Sequence, residues 1–219
     1  MIDLLLAPLR LLYRGIGRAD VVDITRLMHV ARSECVLSDL PVGYSIRCID
    51  SDELAKLIAT ESVPEMIGQP NALDDERRAL VVAFCGQQVA SYFWLVKQSV
   101  DGTDNFSRSE HLGTSIRMPD RTAFVYNAWT SPDHRGKRLI SSMMTWSIQN
   151  RIVGAWAYLT MIDWTNKSSI RAFKRTGMSH LGWVARFGRG PLQITLVPRA
   201  AKRIGFVIAE DAPGKKLAA

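Results

Sequence analysis

The stretch that decides the fold reads TAFVYNAWTSPDHRGKRLISSMMTWSI and covers residues 122–148. Its first nine residues, 122–130, are mostly apolar and typical of a buried strand, and apolar side chains recur at helical spacing from Leu139 onward. A short turn that contains Gly136 joins the two. Backbone N–H groups at the start of the predicted helix are therefore exposed, and the positive end of the helix dipole lies with them.

The same turn carries three positive charges within four residues, at Arg135, Lys137 and Arg138. Cationic side chains beside exposed N–H groups favour phosphate or another anion. The turn therefore predicts an anion-binding site. The alternative is a solvated helix start without a ligand.

A second segment, residues 166–178, reads NKSSIRAFKRTGM. It predicts a short helix that starts at Asn166 and ends at Thr176, with Gly177 in the position of a left-handed C-cap. An apolar run over residues 155–162 precedes it and predicts another buried strand.

Together these segments resemble the acyl-CoA-binding motifs of the GNAT acyltransferase superfamily. Residues 130–144 are similar to the pattern Q/R-x-x-G-x-G/A after a V-x-P strand end, and residues 166–178 are similar to N-x-x-A/S-x-x-x-Y-x-x-x-G-F. The resemblance covers about residues 44–187. It implies an α+β fold, in which a mixed, twisted β-sheet carries helices on both faces.

The resemblance also implies acetyl-CoA or another acyl-CoA as co-substrate, and no metal. Backbone amides of residues 135–141 would wrap the pyrophosphate, Asn166 would bind the pantetheine arm, and the strand end at residues 127–130 would pair with that arm. A main-chain amide near Asn127 or Ala128 would polarise the thioester carbonyl. The implied cofactor-binding residues are Ala128, Trp129, Thr130, Arg135, Gly136, Lys137, Arg138, Leu139, Ile140, Ser141, Asn166, Ser169 and Phe173.

This sequence departs from the family pattern at four positions. Arg138 and Ile140 stand where the family has glycine and a small residue, so their side chains either crowd the pyrophosphate or, at Arg138, replace backbone closeness with charge. Thr130 replaces valine. Phe173 replaces a tyrosine that often protonates the leaving thiolate, and the strand at residues 122–130 lacks an acidic residue that could act as a base.

Other residues must therefore handle the protons if the chain is an enzyme. The candidates for a catalytic role are Tyr126, Asn127 and His180, and His134 is a weaker one, because a histidine titrates near neutral pH. The four histidines show no metal-ligand spacing. Trp129, Met143, Met144 and Trp146 are either core residues or the wall of a pocket for a longer acyl chain.

The remaining pattern predicts further strands and one long connection. A strand over residues 44–49 runs into an N-cap at Asp50 and a helix. Residues 97–121 form a long polar segment that we interpret as a substrate loop, with disorder as the alternative. Further strands are expected at residues 79–84, 89–96, 181–187 and 192–197.

The N-terminal segment predicts an amphipathic helix. Its two faces carry Leu5, Leu9, Leu12 and Ile16 on one side and Arg10, Arg14 and Arg18 on the other. We expect no secretory signal and no membrane span. The leucines are expected to dock on the domain core, and adsorption to an anionic membrane surface is the alternative. Residues 21–28 fit either a strand or a helix.

Composition sets the remaining bounds. The chain has 219 residues, 47% hydrophobic and 22% charged, which excludes a disordered or fibrous protein. Three cysteines without CxxC spacing indicate a reducing compartment. The net charge of +7 favours anionic partners, among which the motifs select a phosphorylated cofactor, and we expect no nucleic-acid partner.

The sequence therefore predicts a cytoplasmic acyl-CoA-dependent N-acyltransferase that acts on a small amine such as an amino sugar or cell-envelope precursor, with a peripheral position at the inner membrane face as the alternative. The expected divisions are an N-terminal helix and extension (1–42), the acyltransferase domain (43–208) and a disordered tail (209–219). One alternative is a silent acyl-CoA-binding module. Another uses acyl-carrier protein as donor, bound by Arg10, Arg14, Arg18, Arg199, Lys202 and Arg203.

Overall fold

The structure is a computed structural model that describes residues 22–64, 67–106, 110–188 and 193–208. The predicted N-terminal helix and the tail from residue 209 lie outside these residues. The strands are β1 (Val22–Ala31), β2 (Tyr44–Ile49), β3 (Arg78–Cys85), β4 (Gln88–Lys97), β5 (Ser99–Val100), β6 (Ile116–Arg117), β7 (Thr122–Thr130), β8 (Ala157–Asp163), β9 (Ser179–Phe187), β10 (Ile194–Leu196) and β11 (Val207–Ile208). The helices are α1 (Ser51–Ala59), α2 (Leu139–Gln149), α3 (Lys167–Arg175) and α4 (Arg199–Arg203).

Eight strands form one mixed sheet in the order β10-β9-β1-β8-β7-β4-β3-β2. Neighbouring strands are antiparallel except for β7 and β8, which run parallel. Strands β5, β6 and β11 form a second, small sheet. The predicted α+β architecture with a mixed sheet is confirmed.

Both faces of the large sheet are buried because side chains alternate along each strand. On one face, Tyr158 and Ile162 of β8 pack with the apolar sides of α2 and α3. On the other face, Leu159 of β8 packs with Ala201 of α4 and with residues of the small sheet. Helix α1 covers the β2–β4 end of this second face through Leu54. Helices therefore lie on both faces, as the sequence predicts.

Side-chain caps begin two of the helices, one of them at the predicted N-cap Asp50. The Asp50 carboxylate accepts a hydrogen bond from the Glu53 N–H at 2.8 Å and caps α1. Asn166 Oδ1 accepts one from the Ser169 N–H at 3.1 Å and caps α3. Gly177 follows α3 at φ +90°, where a Cβ would collide with the carbonyl oxygen of Glu34. A glycine is therefore required at this position.

Strand β1 corrects the predicted division at residue 42. It lies inside the sheet, paired with β8 on one side and β9 on the other, so described residues 22–42 belong to the same domain as the rest. The sequence obscured this strand because it carries Asp23 in a buried position. Arg186 Nη1 donates a hydrogen bond to Asp23 Oδ2 at 2.6 Å, and this ion pair compensates the buried charge.

The long connection between β4 and β7 is partly ordered into secondary structure. It contains β5, a short 3-10 turn at Glu110–Leu112, and β6. Its β5 and β6 strands join β11 in the small sheet. Packing of that sheet holds the described part of the segment against the domain.

Candidate functional site

The site begins where the two parallel strands separate. β7 and β8 pair only over residues 122–125 and 157–160. Beyond these residues no strand that the structure describes pairs with the β7 edge that faces β8, while the other edge of β7 stays paired with β4 as far as Thr130. The sheet therefore opens into a V between the ends of β7 and β8, and one edge of β7 is available to an extended ligand.

A β-bulge lies on the open part of β7. Tyr126 of β7 lies opposite Trp94 of β4, and Trp129 lies opposite Tyr92. Asn127 and Ala128 of β7 therefore face the single residue of β4 that lies between Tyr92 and Trp94. Asn127 has φ +45°, a conformation that costs free energy in a residue other than glycine. Such a bulge bends the strand and redirects its backbone groups.

The turn after β7 presents a row of backbone donors. Gly136 has φ +78° and Arg138 has φ +60°, and together they lead the chain into α2. The N–H groups of residues 136–141 make no hydrogen bond to any residue that the structure describes, and no side chain caps the helix. A Cβ at Gly136 would meet no atom within 4 Å, so this surface is open to a ligand.

A groove of about 700 Å³ connects this turn with the start of α3. It brings together every predicted cofactor-binding residue except Lys137: Ala128, Trp129, Thr130, Arg135, Gly136, Arg138, Leu139, Ile140, Ser141, Asn166, Ser169 and Phe173. Five further residues line the groove that were not predicted to bind the cofactor: His134, Ser168, Arg171, Ala172 and Arg175.

Four arginines give the groove its charge: Arg135, Arg138, Arg171 and Arg175. Arg171 and Arg175 are one helical turn apart on α3, and this spacing places them on the same side of the helix. No carboxylate in the described parts of the chain forms an ion pair with any of the four. Their charges and the N-terminus of α2 make the groove suited to an anion.

Three side chains of the groove, His134, Asn166 and Phe173, make contacts within the fold. His134 Nδ1 lies 2.8 Å from the Tyr44 hydroxyl, which ties the turn after β7 to β2. Asn166 Oδ1 is used by the cap of α3, whereas its amide nitrogen has no hydrogen-bond partner among the described residues. Phe173 is only 3% exposed and packs in the core beneath α2 and α3.

A smaller opening of about 190 Å³ continues the groove into the V between β7 and β8. The two cavities share Ala128, Asn166, Ser169 and Phe173. The opening also contains Tyr126 and Asn127, which were predicted to be catalytic, and two carboxylates that the sequence analysis missed, Asp104 and Asp163. The predicted role of residues 97–121 as a substrate loop was the only signal that pointed near Asp104.

Tyr126 is held in a network of polar contacts. Arg78 Nη1 donates hydrogen bonds to the Tyr126 hydroxyl at 2.8 Å and to Asp104 Oδ2 at 2.7 Å. Burial raises the pKa of Tyr126 above its ordinary value, and the Asp104 carboxylate adds to this effect, although Arg78 opposes it. The phenol is therefore protonated at neutral pH and can serve as a proton donor.

His180 lies away from both cavities, which corrects its assignment as a catalytic residue. It is on β9, and strands β1 and β8 separate β9 from β7. Three interstrand spacings place it about 14 Å from β7. Its ring packs edge-on against Trp183, and partial burial, with a contribution from nearby Arg26, lowers its pKa.

Two other expectations concern residues outside the groove. Met143 and Met144 are fully buried in the core and do not wall an acyl pocket. Arg199, Lys202 and Arg203 are on α4, which covers the opposite face of the sheet from α2 and α3. Arg10, Arg14 and Arg18 lie outside the described residues.

The described residues also bear on metals and membranes. They contain no group of three or more His, Cys, Asp or Glu side chains that could hold a metal ion. In the same part of the chain, no helix combines the length and apolarity that crossing a membrane requires.

Comparison with known proteins was made with the sequence and with the fold. No family model and no curated protein matches the sequence. The structure is similar to an acetyltransferase of the GNAT family from Colwellia psychrerythraea, with a TM-score of 0.52 and 9% identity over 77% of this chain and 57% of that one. It is also similar to a tandem GNAT protein from the clavulanic acid biosynthesis pathway, with a TM-score of 0.51 and 13% identity over 78% of this chain and 55% of that one.

The chain thus spans a little over half the length of these two solved structures. At such low identities the likeness concerns the fold alone. It agrees with the fold that the two sequence motifs predict, with the parallel β7–β8 pair at its centre. The protein therefore has the fold of the GNAT acetyltransferases.

Proposed function

We propose that this protein is an acyl-CoA-dependent N-acyltransferase that transfers a short acyl group, most simply acetyl, to the primary amine of a small molecule. The observation that carries the proposal is one continuous groove. It joins the unpaired N–H groups of residues 136–141, four arginines and the open edge of β7. A long, polyanionic thioester needs these three elements in this order.

The phosphate end of the donor fits the turn before α2. Six consecutive N–H groups without a described partner can donate to pyrophosphate oxygens, and the dipole of the 11-residue α2 helix favours negative charge there. Arg138 adds a charge at the point where the family pattern has glycine. Ile140 is half-buried and packs against the core, so only part of its side chain lines the groove.

The pantetheine arm fits the V between the strands. Its amide groups can pair with the open edge of β7 as an added strand would, and the Asn166 amide nitrogen can donate to them. Paired in this way, the arm would bring the thioester to the bulge formed by Asn127 and Ala128, where the main-chain N–H of Ala128 would polarise its carbonyl.

Tyr126 takes the proton-donating role that Phe173 cannot fill. The phenol lines the opening beside the bulge and is protonated at neutral pH. It can give its proton to the sulfur of the leaving CoA while the amine nitrogen bonds to the carbonyl carbon. The small size of the opening, about 190 Å³, favours a short acyl group over a long chain.

Calorimetry with acetyl-CoA and with acetyl-phosphopantetheine, which lacks the nucleotide, tests the proposal. Both share the arm, but only acetyl-CoA carries the pyrophosphate that faces residues 136–141 and the four arginines. We expect acetyl-CoA to bind at least about tenfold more tightly, which corresponds to one lost charge-assisted contact. Absence of acetyl-CoA binding contradicts the proposal, and equal affinities favour a carrier-protein donor instead.

A further inference from the structure

The opening between β7 and β8 contains a carboxylate that the mechanism above does not use. Asp104 lies in the segment between β5 and β6 and lines the opening with Tyr126 and Asn127. Its side chain is 26% exposed, so it is partly buried but reachable by a small molecule. Oδ2 accepts the hydrogen bond from Arg78, whereas Oδ1 has no hydrogen-bond partner among the described residues.

Arg78 fixes the position of this carboxylate. Its guanidinium is 13% exposed and also lies 3.5 Å from carboxylate oxygens of Asp75 and Asp101. One nitrogen, Nη1, binds both Asp104 and Tyr126. A single, partly buried cation therefore holds a carboxylate and a phenol side by side at the edge of the opening.

The second carboxylate of the opening, Asp163, stabilises a local turn. Asp163 Oδ1 accepts hydrogen bonds at 2.6 Å from both the N–H and the hydroxyl of Thr165, and it shapes the turn that leads to Asn166 and α3. Asp104 has no comparable local contact through Oδ1. Of the two carboxylates, Asp104 is therefore the one placed to meet a ligand.

Charge is divided between the two ends of the site. The donor groove is lined by four arginines, whereas both ionisable groups of opposite sign, Asp104 and Asp163, lie in the smaller opening. In a protein of net charge +7, this division attracts an anion to one end and a cation to the other.

We propose that Asp104 binds the attacking amine and accepts its proton, and that the enzyme therefore selects an acceptor that arrives as an ammonium ion. This inference rests on the proposed function. The ammonium first gives one proton to Asp104, which passes it to solvent. The neutral amine then bonds to the thioester carbonyl carbon, and the C–S bond breaks with its electron pair going to sulfur.

The remaining protons balance at Tyr126. The Tyr126 hydroxyl proton passes to sulfur, and the second N–H proton of the amine then passes to the phenolate oxygen and restores Tyr126. The net products are the amide, the CoA thiol and one proton released to solvent, and both side chains end in their starting states.

Two small probe amines separate the need for a base from other effects. Ethylamine is protonated at neutral pH and needs Asp104, whereas hydroxylamine is largely unprotonated and does not. With acetyl-CoA as donor, we expect Asp104→Asn to lower turnover of ethylamine at least about 100-fold and that of hydroxylamine less than about threefold. Mass spectrometry of the acetylated products measures both.

Asp101→Asn is the matched control. Asp101 belongs to the same segment and contacts the same arginine, but it does not line the opening. It should leave the ratio of ethylamine to hydroxylamine turnover unchanged. Asp104→Ser is a second variant without a base and should show the same change in ratio as Asp104→Asn. The melting temperature and the affinity for acetyl-CoA check that each variant folds.

An unchanged ratio in the Asp104 variants overturns the inference, as does an equal change in Asp101→Asn. If the unmodified protein binds acetyl-CoA but acetylates neither probe, the inference fails while the donor site stands. If it does not bind acetyl-CoA, the proposed function fails as well.

Discussion

Replacement of Arg138 separates its effect on the stability of the fold from its effect on donor binding. Arg138 precedes α2 with φ +60°, in the left-handed region, at the position where the similar motif has glycine. A residue with a Cβ costs about 1–2 kcal/mol in this conformation, and glycine costs much less. Its guanidinium lines the groove without an ion pair to a described carboxylate, so it is available to the pyrophosphate.

Arg138→Gly should therefore stabilise the fold and weaken donor binding at the same time. Relief of about 1 kcal/mol raises the melting temperature by about 2–4 °C in a chain of this size. Loss of one charge-assisted hydrogen bond, about 1.5–3 kcal/mol, weakens acetyl-CoA binding by about 10- to 150-fold. Thermal unfolding and calorimetry measure the two quantities.

Arg138→Ala is the control, because it removes the same charge but keeps a Cβ at positive φ. It should match Arg138→Gly in affinity and melt at a lower temperature. Tighter acetyl-CoA binding by Arg138→Gly would refute this reasoning, since it would mean that the side chain crowds the pyrophosphate.

The remaining predictions concern the turn before α2, Phe173 and Tyr126. Arg135→Ala and Gly136→Val should each weaken acetyl-CoA binding at least about tenfold by calorimetry, because one removes a charge and the other fills the open face of the turn. Lys137→Ala, whose side chain does not line the groove, should change the affinity by less than about twofold. Phe173→Ala should lower the free energy of unfolding by about 3–5 kcal/mol. Phe173→Tyr should leave the pH–rate profile unshifted, and an altered profile would contradict a packing role. Because the raised pKa of Tyr126 keeps the phenol protonated as the pH rises, kcat should show no alkaline loss up to the ordinary tyrosine value of about 10. Tyr126→Phe should lower kcat at every pH, and an unchanged kcat would remove Tyr126 from the mechanism.

The proposed donor side of the site could be predicted from sequence because it is local. The strand, the turn and the helix start at residues 122–148 are contiguous, and the turn chemistry follows from glycine, charge and helix capping. The second motif supplies Asn166 and Phe173 in register. Twelve of thirteen predicted residues line one groove for this reason. The exception, Lys137, does not line the groove.

The proposed acceptor side could not be predicted because it depends on the order of strands. Asp104 comes from a segment without periodicity, and its place beside Tyr126 is fixed by Arg78 on β3, two strands from β7. The position of His180 could not be predicted for a similar reason. Strand β1 lies between β8 and β9, so His180 on β9 is one strand further from the opening than it would be if β9 paired with β8. Nothing in a single sequence reports that insertion, since the buried Asp23 of β1 resembles a surface residue until Arg186 is seen beside it.

The central claim is that residues 136–141 and the open edge of β7 form a binding site for the CoA thioester. Titration of acetyl-CoA into ¹⁵N-labelled protein tests it most directly, because the backbone amides themselves are the proposed ligands. The largest shifts should fall on the amides of residues 136–141 and of residues 126–130, with little change on β9 and α4. Saturable binding that leaves these amides unshifted, or no binding at all, would contradict the claim.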